Sequence, residues 1–228
     1  MIKVLIINGS PKKDNSDVMH VTNSFINGMK QAREVEVSLI HTVEKNIKYC
    51  TGCLSCMRNG GTCILDDDMK DILNQILNTD VVVFSFPLYC YGMPASLKAI
   101  IDRILPLSSI QMREENGRYV HDSQKGTSHL KFVMICGCGF PNSKKNFEPA
   151  VLQFKYLFRQ NNLILTIPET PIFAVPQAIG LTQPKLELVK EAGKQYVIDG
   201  FVKEELIKNI SLPMIPEEQY AAIVNKQE

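Results

Sequence analysis

Four cysteines fall within fourteen residues: Cys50, Cys53, Cys56 and Cys63 of CTGCLSCMRNGGTC, with two, two and six residues between them. Such a set can hold a metal centre, close as two disulfides, or do neither. Structural zinc sites join two C-x2-C pairs across a longer spacer, so three cysteines at steps of three suit zinc poorly. A C-x2-C-x2-C run with a fourth cysteine nearby is closer to the ligand set of a 4Fe–4S cluster. Glycines at 52, 60 and 61 would let the loop wrap one. The aspartates at 66–68 read differently. Asp66 or Asp67 can cap the helix that follows, whose first turn favours negative charge.

Three other short stretches combine turn residues with groups that could grip a ligand. NGSPKKDNSD, residues 8–17, offers Gly9 for a tight turn and the hydroxyls of Ser10 and Ser16 just before a helix. The unpaired N–H groups at such a helix start suit an anion, although Ser16 can also be an ordinary N-cap and Asn15 a turn residue. The stretch is neither G-x-G-x-x-G nor a Walker loop. SFPLYCYGMP begins at Ser85. There Pro87 bends the chain, while Leu88, Tyr89 and the backbone to Gly92 make a flat edge. CGCGFPN, residues 136–142, has Gly137 and Gly139, which let backbone approach a planar ligand and aim amides at it. Cys136 is expected to point into the core; Cys90 and Cys138 are left without a role. The histidines give no triad or metal spacing.

These stretches are informative because of what must position them. IKVLIIN (2–8), DVVVFSF (80–86) and KFVMIC (131–136) are near-continuous aliphatic runs, the pattern of strands buried on both faces. VEVSLI (35–40) and LILTIP (163–168) complete a set of five. Helical spacing fills the gaps: Val18, Val21, Phe25, Met29; Met69, Ile72, Ile76, Leu77; Leu97, Ile100, Ile101, Ile104, Leu105; Val151, Phe154, Leu157, Phe158. Strands alternating with helices imply a doubly wound α/β sheet of order 2-1-3-4-5, helices on both faces and a ligand crevice between strands 1 and 3. The rim at the strands' C-terminal ends then collects residues 9–16, 42–66, 87–93 and 137–143, which include every stretch above. A polar excursion at 109–129 turns at Asn116-Gly117, suggesting a hairpin. A last helix is expected over 183–199, followed by a C-terminal extension at 201–228 whose short helix has Tyr220, Ile223 and Val224 on one face. No linker or repeat divides residues 1–228, so a single domain is expected.

Composition narrows the partners. Lys and Arg number 25 against 24 Asp and Glu, so no long-range field recruits nucleic acid or an anionic membrane. No run approaches the ~20 apolar residues of a membrane span, and the first strand has no signal-peptide cleavage pattern. A cytoplasmic protein is expected, where reducing conditions disfavour structural disulfides.

GSPKKDNS after a first strand resembles the GSPRxxGNT phosphate loop of flavodoxin-like NAD(P)H-dependent FMN reductases. SFPLYCYGMPASLKAIIDR, residues 85–103, resembles that family's SPxYxxxxxAxLKxxxDR stretch. CTGCLSC…GTCILDDDM is similar to the compact motif of its iron–sulfur flavoprotein branch. The resemblance covers about residues 1–200, strongest over 1–20 and 50–103. It implies a flavodoxin-like three-layer sandwich that binds FMN. Ser10, Asn15, Ser16 and the Asp17 amide would hold the phosphate with Lys12 nearby; Pro87, Leu88, Tyr89 and Gly92 would meet the ring; Gly137 and Gly139 would supply amides to its pyrimidine edge. Ser16 stands where Thr is common, and Asp17 where a small residue is usual. Cys50, Cys53, Cys56 and Cys63 carry over as 4Fe–4S ligands. The implied activity is hydride transfer from NAD(P)H to FMN and on to a quinone, nitro compound, flavin or metal, with no side-chain catalyst. The alternative is an iron–sulfur flavoprotein carrying electrons between protein partners. A homodimer or higher homo-oligomer is implied, with the excursion or the C-terminal strip as interface or lid.

Overall fold

Alternation at a period of two, with both sides apolar, decides the layers. In β1 (Ile2–Asn8), Val4 and Ile6 face one side of a sheet while Leu5 and Ile7 face the other, and all four are buried. The computed structural model describes residues 1–124, 126–159 and 162–226. In it β1 leads to α1 (Asp17–Ala32), β2 (Val35–His41), a one-turn α2 (Ser55–Arg58), α3 (Met69–Leu77) and β3 (Val81–Pro87). Then come α4 (Ala95–Asp102), β4 (Ser108–Glu115), β5 (Arg118–Ser123), β6 (Lys131–Gly137), α5 (Glu148–Leu157) and β7 (Asn162–Ile167). The chain ends in α6 (Ile179–Asp199), α7 (Glu204–Ser211) and α8 (Glu217–Val224).

The five long strands pair in parallel in the order β2-β1-β3-β6-β7, which is the expected 2-1-3-4-5. Phe25 of α1 and Val189 and Tyr196 of α6 pack on one face with Val4, Val83 and Leu165. Ile72 of α3, Ile100 of α4 and Phe154 of α5 pack on the other with Leu5, Phe84 and Met134. Each such side chain contributes ~1.5–3 kcal/mol on burial, and that anchorage fixes the loops at the sheet's C-terminal edge.

The polar excursion is the antiparallel hairpin β4–β5, turning at Asn116 and Gly117, both at positive φ. Arg118 lies over the Tyr156 ring, 4.4 Å from its centroid, and ties the hairpin to α5. One helical boundary is corrected. α6 begins before 183 and contains Pro184, because two 3-10 turns over 170–178 lead directly into it. The expected C-terminal helix is α8, in which Tyr220 is buried while Ile223 and Val224 stay 46% and 44% exposed.

Lys185 of α6 is buried and donates to the carbonyl oxygens of Asn209, Ile210 and Leu212 at 2.9, 3.0 and 2.8 Å. It thereby satisfies the C-terminal end of α7. Burial pushes the Lys185 amine down to about 8, against the attraction of Glu169. Between that value and the ordinary 10.5, the unfolded chain keeps a proton that the folded chain has released, so stability should rise with pH across this window. Melting temperatures from pH 7.5 to 10, compared with those of Lys185→Met, measure it; the variant's curve should lack that component, and identical slopes would contradict it.

Candidate flavin-binding rim

The β1–α1 turn is shaped by a residue the sequence reading passed over. Asn8, fully buried at the end of β1, accepts from the Ser10 amide at 2.9 Å through Oδ1 and donates from Nδ2 to the Lys13 carbonyl at 3.0 Å. Its Nδ2 also lies 3.2 Å from His41 Nδ1, at the end of the neighbouring strand. A polar residue closing an aliphatic strand was the available signal. Held this way, Ser10 and Ser16 are both 2% exposed, with Lys12 and Asn15 on the outer side. Ser16 is the N-cap of α1, yet its side chain makes no capping bond. The Asp17 and Val18 amides meet no acceptor among the described residues. An N-cap hydroxyl and two amides free at the head of a sixteen-residue helix fit a phosphate. Lys12 Nζ lies 3.2 Å from the Asp17 carboxylate, drawing that charge aside along the helix.

Gly9 is required for packing. A side chain there would press on Leu97 Cβ at 2.9 Å and Phe86 Cβ at 3.2 Å.

The β3–α4 turn follows on the adjacent strand. Pro87 ends β3, the Leu88 amide donates to the Gly137 carbonyl at 2.7 Å, and Leu88 packs against the core. Tyr89 and Gly92 exchange backbone hydrogen bonds of 3.1 and 2.9 Å, closing a two-residue turn over Cys90 and Tyr91. Gly137 and Gly139 differ. Gly137 is buried in β6, and the space of a side chain is filled by Thr170 and by Val18, whose Cγ2 lies 2.8 Å away. Gly139 is exposed, and a side chain there would meet, among the described residues, only Pro171 Cγ at 3.7 Å, so the backbone stays open to a flat ligand. Cys136 and Cys138 are buried; burial pushes Cys136 well up and Cys138 up to about 11, so neither is a nucleophile.

The cysteine loop, expected on the rim, packs instead against the segment after α4, with Gly61 beside the Pro106 carbonyl and Cys63 beside Arg103. Cys50 and Cys53 are exposed, Cys63 half-buried and Cys56 buried, all as free thiols. Gly52, Leu54, Gly60 and Gly61 turn the backbone at positive φ. The Ser55 amide, the Ser55 side chain and the Thr51 side chain lower the Cys53 thiol, while burial and then the Cys63 charge raise Cys56. Among the described residues no three His, Cys, Asp or Glu side chains stand close enough to hold a metal ion.

What anchors the loop is Arg103, 2% exposed just after α4. It donates to both Asp67 carboxylate oxygens at 2.7 and 3.1 Å, to the Lys48 carbonyl at 2.6 Å and to Cys63 Sγ at 3.5 Å. Asp67 also accepts from the Met69 amide at the start of α3, and Asp68 from the Asn46 amide, so these aspartates staple residues 46–48 to that helix. The expected helix cap is thus combined with a buried ion pair.

The C-terminal segment reaches the same edge. Glu169, just after β7, is buried and accepts from the Met214 amide; Asn142, beyond β6, donates to Glu217 of α8 at 2.7 Å. Burial raises the Glu169 carboxyl, opposed by the Met214 and Ile215 amides.

A family model described as the flavodoxin-like fold matches residues 2–195. An iron-sulfur flavoprotein of Archaeoglobus fulgidus is 31% identical over 182 residues, 80% of this chain and 81% of its own length. A second from that organism is 31% identical over 153 residues, 67% of this chain and 63% of its own. The chain thus spans less than two thirds of that second relative, and 59% of an iron-sulfur flavoprotein of Methanocaldococcus jannaschii. Among solved structures, the FMN-dependent NADH-azoreductase from Bacillus anthracis in complex with FMN superposes with a TM-score of 0.61 at 19% identity. The match covers 86% of this chain and 99% of that one. At that identity the likeness establishes the fold.

Proposed function

The chain belongs to the flavodoxin-like fold family, and on that premise we propose that it is an FMN-dependent NAD(P)H oxidoreductase passing hydride to a small acceptor: a quinone, nitro compound, flavin or metal. The observation that carries this reading is the β1–α1 turn, where the uncapped Ser16 hydroxyl and the free Asp17 and Val18 amides meet beside the β1–β3 switch point. Bound FMN supplies the two-electron chemistry that side chains lack. The chain's residues do the rest. Ser10, Ser16 and the α1 amides take the phosphate, with Asn15 and Lys12 at its outer edge. Pro87, Leu88, Tyr89 and Gly92 bound the ring, and Gly139 leaves backbone amides within reach of it. The names of the azoreductase structure and of the flavoprotein relatives support the same cofactor.

A hydrogen bond to a charged phosphate is worth ~1.5–3 kcal/mol, so Ser16→Ala should weaken FMN binding by about 10- to 100-fold. Because the hydroxyl caps nothing here, the melting temperature without FMN should not move. FMN fluorescence titration beside thermal melts reads both. Unchanged affinity would count against the phosphate assignment.

In this reading residues 1–228 act as one cytoplasmic unit and pair as a homodimer, with Met112 and Tyr119 of the hairpin, 62% and 75% exposed, available to a second copy. No helix among the described residues is long and apolar enough to cross a membrane. A second reading, an iron–sulfur flavoprotein serving protein partners, draws on the relatives' names and on four free thiols spaced as cluster ligands. Cys50, Cys53, Cys56 and Cys63 would then hold a 4Fe–4S cluster. Stoichiometric iron and sulfide in anaerobically purified protein would favour it. Iron-free protein with every loop thiol open to titration favours the first reading.

A further inference from the structure

The side-chain amide of Asn8 is fixed by backbone at both of its atoms. Its Oδ1 takes the Ser10 N–H at 2.9 Å, and its Nδ2 gives one hydrogen to the Lys13 carbonyl at 3.0 Å. A flipped amide would set nitrogen against the Ser10 N–H and oxygen against the Lys13 carbonyl, so the orientation is determined. The second Nδ2 hydrogen goes to His41 Nδ1, at 3.2 Å. A ring nitrogen that accepts carries no hydrogen, so the imidazole proton sits on Nε2. Asp14 Oδ1, 3.4 Å from that Nε2, favours the same form. β1 and β2 pair in parallel with His41 opposite Asn8, so the sheet's register delivers the imidazole, and its side chain is only 11% exposed. The contacts continue from Asn8 into the phosphate turn. The Lys13 carbonyl that Asn8 holds also accepts from the Ser16 amide at 3.1 Å, and Ser16 carries the uncapped hydroxyl at the head of α1. Lys13 is left-handed at φ 54°, a state that a non-glycine residue keeps only where its surroundings impose it. Asn8 imposes it from the strand side, and Glu44 Oε1, 2.5 Å from Lys13 Nζ, from the segment after β2.

We infer that His41 is a positioning residue for the phosphate end of FMN, acting as the Nε2–H imidazole through Asn8. The role runs through the Asn8 amide and not through contact with the phosphate. His41 Nδ1 occupies the second Asn8 hydrogen, which would otherwise be buried without an acceptor and would pull the amide out of line with Ser10 and Lys13. Loss of that alignment releases the Lys13 carbonyl, and with it the Ser16 amide and hydroxyl. The inference rests on the FMN reading and adds to it a residue from the neighbouring strand.

The test measures dissociation constants of FMN and of riboflavin for wild type, His41→Leu and His41→Asn by flavin fluorescence. Leucine fills the space and accepts nothing, whereas Asn Oδ1 stands as many bonds from the backbone as His Nδ1. One neutral hydrogen bond lost from the brace should raise the FMN dissociation constant of His41→Leu by about three- to tenfold. His41→Asn should restore it to within about twofold of wild type. Riboflavin lacks the phosphate, so its affinity should agree within about twofold across all three proteins. Equal FMN affinity in wild type and His41→Leu overturns the inference, as does a His41→Asn variant as weak as His41→Leu. A parallel loss for riboflavin overturns it too, because that marks a general loosening of the fold. Should His41→Leu fail to fold, His41→Gln, whose amide lies one atom farther out, replaces it with the same expected loss and the same deciding results. Wild type that binds FMN no more tightly than riboflavin would instead remove the phosphate assignment of Ser16, and this inference with it.

Discussion

Replacing Asp67 with Asn is expected to cost about 3–5 kcal/mol of folding stability at pH 7, the penalty for stranding a buried guanidinium. The Arg103 and Asp67 side chains are 1% and 0% exposed, so neither charge can turn to water once its partner is lost. The Arg103 Nε is already buried without an acceptor among the described residues, which leaves no spare hydrogen bonding to absorb the change. Arg103→Leu should cost a similar amount by stranding the carboxylate. Replacing both at once should cost less than the sum, because the desolvation of two ions disappears with their attraction.

The acid side follows from the same pair. Burial would raise the Asp67 carboxyl, but the Arg103 guanidinium and then the Lys48 and Met69 amides outweigh it, holding the group below its ordinary 3.8. A depressed carboxyl contributes stability that is complete above the unfolded value and is lost as pH falls through the folded one. Wild type should therefore lose stability below about pH 4 more steeply than the double variant. Urea denaturation at pH 7 and pH 3 reads all of this. A loss under 1 kcal/mol for Asp67→Asn at pH 7 would show that the cysteine loop is not anchored through this pair.

A comparable loss, ~3 kcal/mol, is expected from Gly193→Ala, with a similar one from Gly28→Ala. α1 and α6 cross with backbones in contact. A Cβ on Gly193 would fall on the Phe25 carbonyl oxygen, and one on Gly28 on the Lys190 carbonyl oxygen. Helix propensity works the other way, since alanine in place of a mid-helix glycine gains ~1 kcal/mol. The overlap wins because both obstacles are backbone atoms and no side chain can swing aside. Relief requires the helices to separate, which opens the core around Phe25, Val189 and Tyr196. Chemical denaturation measures the loss. Stabilisation by either substitution would mean that the crossing is looser than described.

Much of this architecture could be read from residue order. Aliphatic runs buried on both sides are rare outside parallel sheets, so Ile2–Asn8 and Val81–Pro87 announced their layer, and the order of the sheet followed from the alternation of elements. The residues of the rim were legible because each loop directly follows such a strand. Its internal bracing was not. Asp67 and Arg103 are 36 positions apart, and each looks in sequence like a solvated charge at a helix end. Only tertiary packing buries them together. Gly137 illustrates the converse: its type was noticed, but the occupants of its missing side chain, Thr170 and Val18, come from distant segments. The C-terminal helix was legible as well: α8 forms over the expected spacing of Tyr220, Ile223 and Val224, burying the first and leaving the other two exposed.

The central claim is that the β1–α1 turn and the loops after β3 and β6 form an FMN site that accepts hydride from a nicotinamide. It is tested most directly by adding FMN to the purified chain, removing the excess, and mixing the product anaerobically with NADH or NADPH while following the flavin absorbance. The account predicts one FMN retained per chain and rapid bleaching of its yellow band. A chain that retains no FMN would contradict it, as would one whose bound flavin stays oxidised with both nicotinamides.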